Sequence, residues 1–482
     1  MIKRRIICIV AMVLLLSFIP ATLTCAGFLT PQQFGDSYYG ELPVLFEELQ
    51  NTTQKKIVLI GNSALAFGAR TDLLEAEFAD YKVVLFGVYG AVGTKTMLDL
   101  SKVNIGAGDI VIVAPELYAQ SCSLYFSAQD TWRAVDGDFD MLRYLPANTF
   151  GKMLCAFPGY VAEKYAVLSG AKEQVSEKPY AKSAFETETG ENAGYMTFER
   201  PYNIMAGGYN AANLPVIGSE VFGAGFIEYL NDYAAYVKQA GATIYFGFTP
   251  VNNLSLGENA QENATALYDF LRAELDFEIL GHPAKYFMDY RLFYDNNFHT
   301  NSVGMYYYTD TLAEDLKLAI GMPGKNGIAL PEIPELPVRE TEAGDNSDAD
   351  CFLYEIRTDA VGGEYVFLTG LTEEGKTRTS LTLPSSYNDV PVKQFSKDLF
   401  AGDQTISRIV LPQSITTIYD GSFSGAVRLR ELVFRHDEIL SLSIGVNYLE
   451  GADLCLIYIK SGVSVADCAG GWARYANRLR YY

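Results

Sequence analysis

The sequence predicts an α/β domain with a parallel sheet covered by helices on both faces, followed by a smaller β-rich repeat domain. Three observations carry that reading. Strand-like runs at Ile57–Ile60, Lys82–Phe86, Ile110–Ala114 and Ala242–Phe248 alternate with helical patterns such as "FIEYLNDYAAYVKQAGA". Unbroken apolar runs suit strands buried on both faces, the condition of a parallel sheet. The segment 322–350 then holds four prolines, three glycines and a run of acids with only two basic residues. That composition cannot bury enough apolar surface to fold alone and reads as a linker. Beyond it, 351–482 carries an internal repeat. Phe400-Ala401-Gly402 matches Phe423-Ser424-Gly425, and Ile406–Leu411 matches Leu429–Phe434 at the same offset. A period in the low twenties with one short strand per unit indicates leucine-rich stacking.

Length and charge agree with this division. At 482 residues the chain exceeds the usual size of one core, so two domains are expected. A formal net charge of -21 disfavours nucleic acid, anionic membrane surfaces and polyphosphate partners.

The elements follow in order. "MIKRRIICIVAMVLLLSFIPATLTCAG" opens with basic residues and an apolar run from Ile6 to Ile19, then Pro20 and small residues. This is an export signal over 1–28, cleaved near Ala26 or retained as a membrane anchor. It implies an extracellular or cell-surface location, with membrane contact through this segment alone. In "KKIVLIGNSALAFGARTDLLE" the first run breaks at Gly61-Asn62-Ser63, and Leu65, Phe67, Leu73 and Leu74 continue with helical spacing. Ser63 therefore stands at the carboxyl end of a strand, where open α/β sheets bind ligands. It is a nucleophile or an N-cap. Gly87 and Gly90 follow the second run and permit a tight turn. Residues 119–220 interrupt the alternation and read as an insertion over the strand ends. Asn252 and Asn253 follow the fourth run, in a turn or lining a pocket.

Three histidines are present. His436 belongs to the repeats and His282 has no carboxylate near it in sequence. His299 is preceded by Asp295 and Asn296, while Gly304 and Thr309–Leu316 announce a closing helix. A turn-like loop places Asp295 and His299 on one side, so the carboxylate can fix the imidazole tautomer. The seven cysteines, Cys8, Cys25, Cys122, Cys155, Cys351, Cys455 and Cys468, show no zinc spacing, though Cys455 and Cys468 can pair. No cofactor or metal is expected.

Gly61-Asn62-Ser63, Gly90 and the Asp295…His299…Gly304 block, in this order, resemble the SGNH (GDSL-type) hydrolases over about residues 50–320. The resemblance implies a flavodoxin-like three-layer sheet over 29–321. It makes Ser63 the nucleophile, His299 the base and Asp295 its orienter, with the N–H groups of Ser63 and Gly90 as oxyanion hole. Two departures stand out. Glu116 in "GDIVIVAPELY" lies near where a neutral amide donor is expected, and the acid lies four positions before His299, with Asn296 at three. Both are similar to the branch related to DltD and polysaccharide O-acyltransferases. Glu116 is expected to be structural: an ionised carboxylate would oppose the transition-state charge, so it either points away, bonded to backbone or to the insertion, or is held protonated as a donor. The Leu-Pro, Ile, Phe-x-Gly frame of 351–482 resembles bacterial BspA-like leucine-rich repeats. The implied protein is an exported serine esterase or O-acyltransferase acting on an acyl ester, with surface carbohydrate as one carrier, docked to a surface ligand by its repeats. The alternative is a non-catalytic surface-binding protein on a degenerate SGNH scaffold.

Overall fold

The computed structural model describes residues 22–88, 90–172, 178–205, 208–334, 346–359, 362–439, 442–453, 455–460, 471–475 and 478–481. It divides into two units, residues 1–336 and 337–482. The first is a mixed α/β unit whose central sheet comprises β1 (Lys56–Gly61), β2 (Lys82–Gly87), β3 (Ile110–Ala114), β4 (Thr243–Phe246) and β6 (Glu278–Ile279). A separate parallel pair is formed by β5 (Val251–Asn252) and β7 (Phe287–Met288). The sheet is parallel throughout, in the order β2-β1-β3-β4-β6. Its order reverses between β1 and β3, and right-handed crossovers on the two sides of that reversal send helices to opposite faces.

In the centre, Ile57 lies between Val83 and Ile110, and Leu59 between Leu85 and Ile112. All are buried, which is why these runs read as continuously apolar. At the carboxyl end Gly61 lies between Gly87 and Ala114. A Cβ on Gly61 would stand 2.4 Å from the Ala114 carbonyl oxygen, and one on Gly87 3.0 Å from the Gly61 carbonyl carbon. Glycine is therefore required where these strand ends close up. Gly87, expected as a turn or pocket residue, is instead buried against β1.

Helices α1 (Glu41–Asn51) and α3 (Thr71–Glu77) pack on β2, and α4 (Thr94–Ser101) on β1. The predicted helix after β1 is interrupted, since α2 (Ser63–Gly68) ends before α3 starts. The insertion contributes α5 (Ala128–Ala134) and α6 (Phe150–Leu168) before α7 (Phe226–Gln239) leads into β4. α8 (Ala260–Glu274) and α9 (Gly304–Ala319) complete the unit.

Most of the predicted export segment, residues 1–21, lies outside the described residues. Its end, 22–28, lies in a helix over 22–29 that belongs to the folded body. Lys164 of α6 bonds the Gly27 carbonyl at 3.1 Å and Asp136 at 2.6 Å, with both charged side chains fully buried. Asp136 also accepts from the backbone N–H of Gln33 at 2.7 Å and of Phe34 at 3.3 Å. Such a buried pair survives only because further hydrogen bonds satisfy both partners.

The first part of the expected linker is bonded to the first unit. Asn326 donates to the Asp310 carbonyl, Gly327 N–H to Glu77, and Tyr307 OH to the Pro331 carbonyl. Residues 326–331 are thus laid onto the first unit, while 335–345 lie outside the described residues.

In the second unit β10 (Ser380–Thr382), β13 (Arg408–Leu411), β15 (Glu431–Phe434), β17 (Leu456–Ile459) and β18 (Leu479–Tyr481) form one parallel ladder. Arg408 pairs with Glu431, its counterpart in the next repeat. Phe400 stacks on Phe423, with ring centroids 5.7 Å apart, and Phe423 meets Tyr448 edge-on. Gly402, Gly425 and Gly451 share a positive φ of 70–75°, a turn that glycine makes without strain. A second sheet joins β11 (Ser386–Tyr387), β12 (Val390–Phe395), β9 (Glu364–Leu371) and β8 (Phe352–Thr358), and β14 (Thr417–Ile418) pairs with β16 (Ser443–Ile444). Cys455 is buried, and Cys468 lies outside the described residues.

Candidate active site

Three segments converge at the carboxyl ends of β1 and β3. β1 stops at Gly61, Asn62 is extended, and α2 begins at Ser63. Asn62 accepts from Thr94 Oγ1 at 2.8 Å through its oxygen, while its Nδ2 is buried and unpartnered. β3 runs into Pro115 and Glu116. The third segment is a tight loop closed by the Phe293–Thr300 bridge and by the Tyr294 N–H bond to the His299 carbonyl at 2.8 Å. Asn301 bonds the Arg291 and Phe293 carbonyls and accepts from the Gly304 N–H at 2.8 Å, fixing this loop to the start of α9.

This arrangement brings together residues far apart in sequence. Ser63 Oγ lies 2.9 Å from His299 Nε2, and His299 Nδ1 lies 2.8 Å from Asp295 Oδ1. Ser63, His299 and Asp295 are all largely shielded from solvent. Tyr180 OH donates to the other Asp295 oxygen at 2.6 Å. Burial and then the Asp295 charge raise the Tyr180 phenol well above its ordinary range, so the phenol remains a donor and Asp295 the acceptor. The Phe67 ring stacks on His299 at 3.9 Å, nearly parallel. Behind it lies Arg200, fully buried, with its guanidinium 5.2 Å from the Phe67 ring. Arg200 bonds the carbonyls of Phe198 at 2.6 Å, Thr300 at 3.1 Å and Phe67 at 3.3 Å. Burial lowers its pKa to about 10, which leaves it charged at neutral pH.

Glu116 is bonded to backbone and to the insertion, yet it stays beside Ser63. It does not turn away: Oε1 accepts from the Ala64 N–H at 3.0 Å and lies 3.0 Å from Ser63 Oγ. Its other oxygen accepts from Ser121 Oγ at 3.3 Å. The expectation rested on avoiding charge near the oxyanion, but the buried N–H of Ala64 at the helix start has no partner within the helix and the carboxylate supplies one. Ser63 thus has two acceptors within reach of its one hydrogen.

The other candidates separate. Asn296 does not bond the imidazole ring; its oxygen accepts from Phe298 N–H at 3.2 Å and Asn213 Nδ2 at 3.0 Å, tying the loop to the insertion. Gly90 opens a short 3-10 turn, and its carbonyl accepts from Gln120 at 3.3 Å. Asn252 bonds the Leu254 N–H and the Gly208 carbonyl, and Asn253 accepts from Tyr290 N–H, both turn-building roles. His282 caps a turn, and His436 bonds the Ile415 carbonyl with burial lowering its pKa. Among the described residues no cluster could hold a metal ion.

Sequence reasoning missed Tyr180, Phe67, Arg200 and Ser121. Only the insertion's position hinted that it would reach the site. A cavity of about 240 Å³, lined by Pro215, Val216, Ile217 and Leu256 among others, lies nearby. Val216 N–H bonds the Leu117 carbonyl, and Leu256 packs on Ala64, Val251 and Phe298. Compared with known proteins, the chain matches no family model and no curated sequence.

Proposed function

We propose that the first unit is a serine esterase or O-acyltransferase of the SGNH type. The observation that carries this is the continuous Ser63–His299–Asp295 chain, with contacts of 2.9 and 2.8 Å. Asp295 holds Nδ1–H, leaving Nε2 to take the serine proton as Oγ attacks an acyl carbonyl. The oxyanion is received by the N–H groups of Ser63 and Gly90. His299 then protonates the leaving alcohol, and water or a sugar hydroxyl resolves the acyl-enzyme. The parallel order β2-β1-β3-β4-β6, with its reversal beside Ser63, supports a flavodoxin-like, SGNH-type reading. The in-register parallel ladder supports reading the second unit as a BspA-like leucine-rich repeat solenoid that docks an exported enzyme to a surface ligand.

A second reading, a non-catalytic scaffold on the cell surface, is favoured by Glu116, whose carboxylate competes with His299 for the Ser63 hydrogen. Treatment with a fluorophosphonate probe separates the two. A catalytic site gives covalent labelling mapped to Ser63, lost in Ser63→Ala and in His299→Ala; unlabelled, folded wild type identifies the scaffold.

A further inference from the structure

α6 presents an apolar face outward. Phe150, Leu154, Val161, Tyr165 and Leu168 recur at helical spacing, which places them along one side of the helix. Of these only Val161 is buried; Leu154 is 71% exposed and Leu168 51%. Val161 is covered by the helical segment 22–29, since a Cβ on Gly27 would stand 3.2 Å from its methyl group. That segment adds Leu29, 78% exposed, and Phe28, whose ring packs on Phe139 and Phe157. The neighbouring exposed positions, Gly151, Cys155, Pro158 and Ala162, are also uncharged, while Lys152 and Glu163 fall on other sides of the helix. An uncharged, largely apolar stripe built from two helices is unusual on a chain of net charge -21.

The occupant is indicated by what precedes it. The apolar run Ile6–Ile19 ends three positions before the described helix begins at Thr22. The end of that helix is clamped to α6 by the buried Lys164–Asp136 pair through the Gly27 carbonyl. Whatever receives the apolar run is therefore held near the α6 face. No described helix, α6 included, is long and apolar enough to cross a membrane.

We propose that the outward face of α6, with Phe28 and Leu29, lies in the interfacial layer of a lipid bilayer, parallel to its surface. The apolar side chains enter the acyl boundary, as in other interfacial helices. Tyr165, with an apolar ring and a polar hydroxyl, suits the headgroup level, while Phe150 joins the apolar side chains. The net acidity makes apolar burial, not attraction to anionic headgroups, the source of binding. This goes beyond the catalytic reading and rests only on the N-terminal run being retained as an anchor.

The test uses the full chain reconstituted on phosphatidylcholine vesicles. A bimane fluorophore is placed through Leu154→Cys or Leu168→Cys, and through Leu318→Cys, an exposed leucine of α9 outside the patch. Other accessible cysteines are replaced by serine. The proposal expects the chain to float with vesicles and the labels at 154 and 168 to lose emission to a lipid-borne nitroxide quencher, with the label at 318 losing it only to aqueous iodide. Flotation with all three labels answering only to iodide overturns the proposal while leaving the anchor in place. Failure to float overturns both. Labels at 154 and 168 shielded from both quenchers overturn it in favour of self-association.

Discussion

Ser63 carries one hydroxyl hydrogen, and His299 Nε2 and Glu116 Oε1 stand 2.9 and 3.0 Å from its oxygen. When Glu116 takes the hydrogen bond, the serine hydroxyl is turned from His299. Glu116→Gln keeps a carbonyl oxygen on the Ala64 N–H but offers Ser63 a neutral, weaker acceptor, whereas a hydrogen bond to a charged group contributes about 1.5–3 kcal/mol. The expected outcome is a rise in short-chain ester turnover on the order of tenfold. Abolished turnover in a folded Glu116→Gln protein would instead make the carboxylate a participant in the chemistry. The partner of His299 can be ranked in the same assay. Asp295→Asn should cost about 10⁴-fold in kcat, as loss of the orienting charge allows the wrong tautomer. Asn296→Ala, which touches only the loop and Asn213, should cost far less. The reverse order would assign the orienting role to Asn296.

At the scale of elements, what the sequence shows depends on how far each partner lies along the chain. β1 to β4 were legible because each is a run buried on both faces. The two-residue strands β5, β6 and β7 leave no period to read. The Asp295–His299 pair was legible because it is local, closed within one loop. Tyr180 and Arg200 were not, since their partners lie 115 and 100 residues away. In the second unit two repeats align without a gap, Arg408 opposite Glu431. The next step, from Glu431 to Leu456, is longer, and tyrosine replaces phenylalanine at 448. That drift hid it. α1 offers a test at this scale. Glu41, in its first turn, is fully buried and bonds Asn192 at 2.7 Å. Burial raises its pKa to about 8, more than Asn192 lowers it. The folded state therefore keeps a proton that the unfolded chain releases near pH 4.5. The resulting stability is fully present below that value and lost as pH rises through about 8. Thermal unfolding should show the wild-type midpoint falling between about pH 5 and pH 8 and levelling beyond, with Glu41→Gln flattening that fall. Parallel curves would place the loss elsewhere.

For the whole molecule, the two units have separate cores. A chain ending at Pro334, which keeps the Tyr307–Pro331 bond, should fold cooperatively and retain probe labelling of Ser63 at the full-length rate. An insoluble or unlabelled product would mean that the repeats support the first unit. The site's connectivity also governs when the molecule acquires it. Ser63 and His299 are separated by 236 positions, and the aspartate beside His299 is held by a tyrosine from the insertion. Neither contact can form until long loops have closed, and such closures come after local structure. The Ser63–His299–Asp295 arrangement is thus completed late in the life of each newly made chain. On dilution from denaturant, far-UV ellipticity should recover before Ser63 becomes reactive to the probe, and simultaneous recovery would show that these distant segments meet in the first collapse.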